Sequence, residues 1–208
     1  SVSFNDNKNN FLKSIRNELE ESIKLRLVAD VKTGIFLSGG IDSSTNAYIS
    51  ALNSKKINTF SIGYDKEYQS YKSELRYAKM VADDVNSKHF EKKLSKVDFT
   101  DVLEKIIYHQ DEPISDPVCI PIYYLSKLAT DKKVKVCQVG EGADEIFFGY
   151  TNWLRTLKMK KIFDNLFFKK MCIPVLIFFF KVLKIEYKYS YDLLIRAKKN
   201  LPIFWSGA

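Results

Sequence analysis

Cysteine and histidine are scarce in this chain of 208 residues, with three of the first and two of the second. Cys119, Cys137 and Cys172 are odd in number, widely spaced and without a C-x-x-C pair. That argues against a disulfide framework or a zinc site and for a reducing, intracellular setting. His89 and His109 lie far apart in the sequence, so each is read as a structural or surface residue rather than a ligand. A long apolar run is missing too. The longest, Ile173 to Phe180, contains Pro174 and stops at Lys181, well short of the ~20 residues that span a bilayer. The opening SVSFNDNKNN has no apolar core of the kind a signal peptide needs. A cytoplasmic protein is expected.

Acidic residues almost run out after Tyr150. Residues 1–150 carry 21 Lys and Arg against 22 Asp and Glu, whereas residues 151–208 carry 12 against 3. The formal charge of +8 therefore belongs to the tail. A nucleic-acid-binding domain would spread its basic residues over the fold itself, so no nucleic-acid partner is expected. Two pieces of unlike character are expected instead: a domain over 1–152 and a basic helical extension over 153–208. Within the extension, the Lys-flanked aromatic stretch 171–185 is read as a helix whose partner surface lies elsewhere. A peripheral lipid contact is the minor alternative. With 46% hydrophobic and 28% charged residues, the chain as a whole is of ordinary globular composition.

Periodicity supplies the elements. Phe11, Ile15, Leu19, Ile23 and Leu27 recur every four residues, predicting an amphipathic helix that ends near Asp30. Gly34 to Leu37 is an unalternating run, as in a strand of a parallel sheet buried on both faces. A helix is predicted from Ser44 to about Leu52, a strand over 58–64, and a helix over 73–85. A more polar strand over 87–94 is expected nearer a sheet edge. Asp98 is read as the N-cap of the helix carrying Val102 and Ile106. After the Pro-punctuated DEPISDP come a helix through Tyr123 and Ala129, a buried strand over 134–139, and a helix opened by GEGADE. Strands and helices alternating at this spacing predict a doubly wound parallel α/β sheet.

Ligands of such sheets sit beyond the carboxyl ends of the strands, and two segments fall there. The first is Ser38-Gly39-Gly40-Ile41-Asp42-Ser43-Ser44. Its glycines let the backbone approach a ligand, its serines add hydroxyls, and the following helix aims N–H groups at the same spot. This is a pocket suited to phosphate. It is neither a Walker A loop nor a dinucleotide G-x-G-x-x-G. Asp42 is electrostatically wrong in a phosphate loop unless a cation such as Mg²⁺ bridges it to the phosphates. The second is Gly140-Glu141-Gly142-Ala143-Asp144-Glu145. Asp144 would join Asp42 on Mg²⁺ and Glu141 would face the substrate, or else the acids form a solvated cluster at a helix start.

SGGIDSS after GIFL resembles the pyrophosphate loop of the N-type ATP pyrophosphatases. FSIGY, DEPISDP followed by Pro121, and GEGADEIFFGY narrow the resemblance to the synthetase domain of glutamine-hydrolysing asparagine synthetases and their relatives. It runs from about Leu25 to Tyr150. The resemblance implies the adenine-nucleotide alpha-hydrolase type of sheet, ATP and Mg²⁺ as cofactors, and adenylation of a carboxylate followed by amide formation with ammonia. It implies that Ser38, Gly39, Gly40, Asp42, Ser43 and Ser44 hold pyrophosphate, and that Leu37, Ile62, Val139 and Gly140 line the adenosine. Asp42 and Asp144 match magnesium aspartates, and Glu141 matches a catalytic glutamate associated with the adenylate and the attacking amine.

Departures from the family pattern are specific. Val139 stands where the family usually has Ser, and Phe148 makes bulkier a turn the family commonly writes F-G-G-Y. The amino-terminal glutaminase domain with its nucleophilic Cys is not in this sequence, so ammonia is expected from a domain or subunit outside it. No Lys in 151–208 matches the phosphate-contacting lysine of relatives. The start at Ser1 and the stop at Ala208 are read as a piece of a longer protein. The acceptor is expected to be aspartate. Another carboxylate (a sugar, peptide or β-lactam precursor) and an inactive nucleotide-binding piece remain alternatives.

Overall fold

The computed structural model describes residues 8–54, 56–65, 74–112, 116–165, 167–185 and 188–202. Ser73, where a helix start is expected, residues 113–115 of the Pro-rich loop, and Trp205 to Ala208 lie outside them. The chain divides into two compact units, 1–141 and 142–208.

In the first unit, α1 (Lys8–Arg26) precedes β1 (Thr33–Phe36), α2 (Ile41–Asn53), β2 (Asn58–Tyr64), α3 (Leu75–Asp84) and β3 (Lys88–Leu94). Two consecutive helices, α4 (Lys96–Gln110) and α5 (Cys119–Asp131), then lead to β4 (Val136–Gln138). All pairings are parallel and the strand order is β3-β2-β1-β4. β1 aligns Ile35 with Thr59 on one side and with Gln138 on the other.

Alternation along β1 and β2 sorts their side chains between two layers of helices. Ile35 and Leu37 pack with Ala47 of α2 and with Ala78 and Ala82 of α3. Phe60 packs on the opposite face with Ala129 of α5 and Val134, joined by Phe36 and Phe90. Ile62 and Tyr64 face Val102 and Ile106 of α4 and Tyr124 of α5. Helices thus cover both faces, and the sheet is the doubly wound parallel one expected. The polar β3 is an edge strand, also as expected. At the other edge β4 is shorter than the expected strand over 134–139 and only partly buried: Val134 before it and Gln138 are buried, whereas Val136 is exposed.

Two helix starts differ from expectation. α2 begins at Ile41, not Ser44, because Gly40 already takes the extended N-cap conformation (φ −70°, ψ 164°) and Ser44 N–H bonds Gly40 O at 3.0 Å. Asp42 and Ser43 therefore belong to the first helical turn. In α4 the N-cap is Ser95, and Asp98 is the third residue of a reciprocal capping box. The Asp98 carboxylate accepts from Ser95 N–H at 2.8 Å and from the Ser95 hydroxyl at 2.7 Å, with Lys92 Nζ at 3.1 Å.

These donors, led by the Ser95 backbone N–H, hold the Asp98 carboxyl down to about 2. A carboxyl pKa depressed by folding stabilises the fold above its unfolded value and stops doing so as pH falls through about 2. Asp98→Asn is expected to cost about 1 kcal/mol near neutral pH, after allowing for solvent screening. Urea midpoints should show that difference at pH 7 and a shrinking one as the pH is lowered towards 2.

The second unit is helical. α6 (Ala143–Phe147) and α7 (Thr151–Phe163) are followed by a π-helical turn (Phe168–Cys172), α8 (Ile173–Val182) and α9 (Tyr189–Lys198). Its core is Phe163, Ile173, Ile177, Leu193, Leu194 and Ala197. Phe148, which ends α6, sits in the left-handed region at φ 57° and sets its ring edge-on to Trp153. Glycine takes that backbone without a Cβ penalty, so the bulkier residue carries local strain.

Candidate functional site at the switch point of the sheet

The chain runs from β1 outward through β2 to β3, then returns to place β4 on the other side of β1. The order reverses between β1 and β4, and ligands of doubly wound sheets bind in the crevice beyond that point. The segments nominated from sequence follow these two strands. They meet there: a Cβ added to Gly140 would stand 2.7 Å from Ser43 N and 2.9 Å from the Asp42 carbonyl carbon. Only glycine lets the end of β4 lie so close to the first turn of α2.

Gly39 is held as tightly from the other side. Its φ is +92°, and an added Cβ would come within 2.7 Å of Ala78 N and 2.9 Å of Glu74 O at the start of α3. The loop 37–40 is thus fixed between two helices and the next strand. Leu37 donates its N–H to Phe60 O at 2.9 Å, and Leu37 O accepts the buried Ser61 hydroxyl at 2.5 Å. Ser61 was not singled out from sequence. Its signal lies in strand pairing, which no local pattern records.

The serines divide into separate roles. Ser43 Oγ lies 2.9 Å from Ser38 Oγ, accepts from Ser38 N–H at 3.2 Å and donates to Gly40 O at 3.2 Å. Ser38 Oγ accepts from Gly40 N–H at 3.2 Å. Ser43 is buried and braces the loop from within, whereas Ser38 is exposed. The Ser44 hydroxyl is buried with no hydrogen-bond partner among the described residues, and so is Gln138 Nε2 at the end of β4. Buried polar atoms are seldom left unpaired, and both lie in segments that lead to the crevice.

Asp42 occupies the first turn of α2, where a negative charge complements the helix dipole. Among the described residues no group of three or more His, Cys, Asp and Glu side chains is placed to hold a metal ion. A Mg²⁺ ion that keeps its waters and takes further oxygens from phosphates needs only one or two protein carboxylates. Asp42 suits such an ion and not a closed metal cage.

The positions expected to line an adenosine fall on both faces of the sheet. The Leu37 side chain is buried towards α2 and α3, and Ile62 packs towards α4 and α5. What the strand ends offer at the crevice in common is backbone. Val139 is half exposed and Glu141 is exposed. Asp144, in the second unit, is exposed at the start of α6 and packs against Gly149, whose N–H bonds Asp144 O at 2.9 Å. Glu145 accepts the Tyr150 hydroxyl at 2.7 Å, which holds its carboxyl below the usual range. The histidines are structural or surface residues: His89 bridges Thr59 Oγ1 and Glu91, and His109 lies exposed beside Tyr108. Burial pushes the Cys137 thiol up to about 11, so it is neutral and poorly nucleophilic.

Fold and crevice together define a doubly wound α/β protein whose glycine-dependent loop after β1 lies at the topological switch point. Residues 14–201 match the family model described as Asparagine synthase, so the chain belongs to the asparagine synthase family. A putative glutamine-hydrolysing asparagine synthetase of Mycobacterium tuberculosis is 36% identical over 162 residues, covering 78% of this chain and 24% of that protein. Glutamine-hydrolysing asparagine synthetase 1 of Bacillus subtilis is 37% identical over 149 residues, covering 72% of this chain and 23% of that protein. The chain spans about a quarter of the length of these curated relatives. Among solved structures, an ammonia-dependent NAD synthetase from Campylobacter jejuni is similar with a TM-score of 0.44 at 16% identity, covering 66% of this chain and 60% of that one. The strand order itself defines the fold.

Proposed function

We propose that residues 1–152 form the ATP-using part of an amide-forming synthetase, with residues 153–208 its basic helical extension. The observation that carries this reading is the approach of Gly140 to Asp42 and Ser43 at the switch point, in a chain of the asparagine synthase family. The substrate carboxylate, most simply that of aspartate, attacks the α-phosphorus of ATP. The bond to the bridging oxygen breaks, pyrophosphate leaves with both electrons of that bond, and an acyl-adenylate remains. Ammonia then attacks the acyl carbon, loses a proton and displaces AMP, giving the amide. Relatives named as glutamine-hydrolysing suggest glutamine as the source of that ammonia, released by a domain or subunit outside this sequence. The setting is cytoplasmic.

The loop prepares the departing pyrophosphate's place before ATP arrives. Ser43 keeps the turn closed, so the N–H groups at the start of α2 are already oriented where negative charge grows, and little reorganisation is needed in the transition state. Leu37, Ile62, Val139 and Gly140 contribute the adenosine wall through the strand ends. Glu141 acts at the reacting carboxylate and the incoming amine. Asp42 and Asp144 would hold Mg²⁺, which would neutralise phosphate charge when bound.

ATP–pyrophosphate exchange tests this reading, run with Mg²⁺ and a panel of carboxylic acids on this chain and on a longer protein that contains it. Aspartate-dependent exchange in the longer protein, with weak or no exchange by this chain, is the expected result. Exchange driven by another acid reassigns the acceptor. ATP binding without exchange for any acid ends the synthetase reading.

A further inference from the structure

β2 outruns β1. Its pairing with β3 continues to Tyr64 opposite Leu94, whereas its pairing with β1 ends at Phe60 opposite Phe36. Backbone groups alternate sides along a strand. Phe60 O takes the Leu37 N–H on the β1 side, and Asp65 N–H bonds Leu94 O on the β3 side. Ile62 N–H and C=O therefore face the β1 side, one step beyond the last bond. In a continued ladder Ile62 N–H would donate to Leu37 O. It does not, and no hydrogen bond among the described residues takes it up. Leu37 O accepts the Ser61 hydroxyl instead, at 2.5 Å, and Ser61 is only 2% exposed. A backbone donor on a central strand is rarely left unpaired.

We propose that Ser61 is a positioning residue for the nucleotide. Its side chain lies on the same face as Thr59 and the paired Ile35, the face packed against α2 and α3. The hydroxyl turns the Leu37 carbonyl out of the sheet plane towards that face, so β1 does not zip further onto β2. Ile62 N–H and C=O stay open beyond the end of β1, a donor and an acceptor side by side. They offer the nucleotide backbone hydrogen bonds at the wall proposed for it, with no polar side chain needed. Ser61 itself is buried and its hydroxyl is engaged, so it acts only through Leu37 and Ile62. The role rests on the nucleotide reading above, whereas the opened ladder does not.

Amide hydrogen exchange of the whole chain, read by NMR, tests the opened ladder without any ligand. The Ile62 amide should exchange about tenfold or more faster than that of Phe60, the last β2 residue paired with β1. Ser61→Ala should slow Ile62 about tenfold, because Leu37 O is released to accept its N–H. Ser61→Thr keeps the hydroxyl and should retain the fast exchange. Mg²⁺-ATP should slow Ile62 in the wild type. Titrations on a longer protein that contains this chain then test the role. Ser61→Ala should weaken Mg²⁺-ATP about tenfold and leave inorganic pyrophosphate within about twofold, a split that general loosening of the fold does not give. If Ile62 is as protected as Phe60 in the wild type, or unchanged in Ser61→Ala, the proposal is overturned whatever the ligand. Should Ser61→Ala not fold, the wild-type exchange with and without Mg²⁺-ATP decides. The expected exchange pattern with equal ATP binding by Ser61→Ala overturns the positioning role alone. A wild type that binds no ATP ends the nucleotide reading, and the positioning role with it, while the exchange result still stands.

Discussion

Replacing Gly39 with alanine is expected to destabilise the first unit by about 3 kcal/mol and to remove nucleotide binding, while the same change at Gly40 leaves stability within about 1 kcal/mol. The two glycines are adjacent in one motif, yet their surroundings are opposite. Gly39 has φ +92°, which strains any L-residue, and its missing Cβ would meet backbone atoms of Ala78 and Glu74. Neither atom belongs to a flexible side chain, so the loop or the start of α3 must shift. Left-handed strain costs roughly 1–3 kcal/mol and overpacking a similar amount, and the two overlap in part. Gly40 has φ −70°, and its nearest neighbour would be Ser38 Oγ at 3.4 Å, an ordinary contact. Alanine there loses a few tenths as a poorer N-cap and regains a similar amount by restricting the unfolded chain. Urea unfolding of both variants, with ATP titration of each, measures the contrast. Equal effects at the two positions would mean that the loop is not seated against α3 as described.

That contrast could not be read from sequence, because both glycines look alike in SGGIDSS. Strand β2 was legible over its full length, 58–64, because an apolar stretch between turn residues carries its own bounds. The edge position of β3 was legible from its lysines and glutamate. Non-local facts were not legible. Pairing of β1 with β4 joins residues about a hundred positions apart, and it alone brings Gly140 against Asp42 and Ser43. The residue types of 38–44 suggested an anion pocket, whereas the internal bracing role of Ser43 depends on the early start of α2. Likewise the sequence pointed to Asp98 as the N-cap of α4, and only the reciprocal hydrogen bonds show that Ser95 caps and Asp98 answers. In α8, apolar character on every side hides which face is covered, so Ile177 and Phe178 look alike until burial separates them.

Asp42→Asn should change sign with the metal: binding of Mg²⁺-ATP falls by about a hundredfold, whereas metal-free pyrophosphate binds more tightly than to the wild type. Asp42 lies in the first turn of α2, beside the N–H groups that the proposed function offers to phosphate. Without a cation its charge opposes any anion in the crevice, so removing it relieves repulsion. If Asp42 holds Mg²⁺ beside the phosphates as proposed, the same removal would delete a ligand and the attraction it mediates. Loss of a favourable helix-dipole charge costs the fold about 0.5 kcal/mol, too little to account for a hundredfold change in binding. Ser43→Ala provides the matching control. It removes the internal brace of the loop and should weaken both ligands in the same direction, because a loosened turn serves neither. Isothermal titration of Mg²⁺-ATP and of pyrophosphate with chelator, on both variants, separates a metal-bridging role from a scaffolding one. If Asp42→Asn weakens both ligands equally, Asp42 acts through the loop and the metal assignment fails. A crossover in sign would tie the charge of one side chain to the presence of the cation, an outcome that no purely structural role for Asp42 produces.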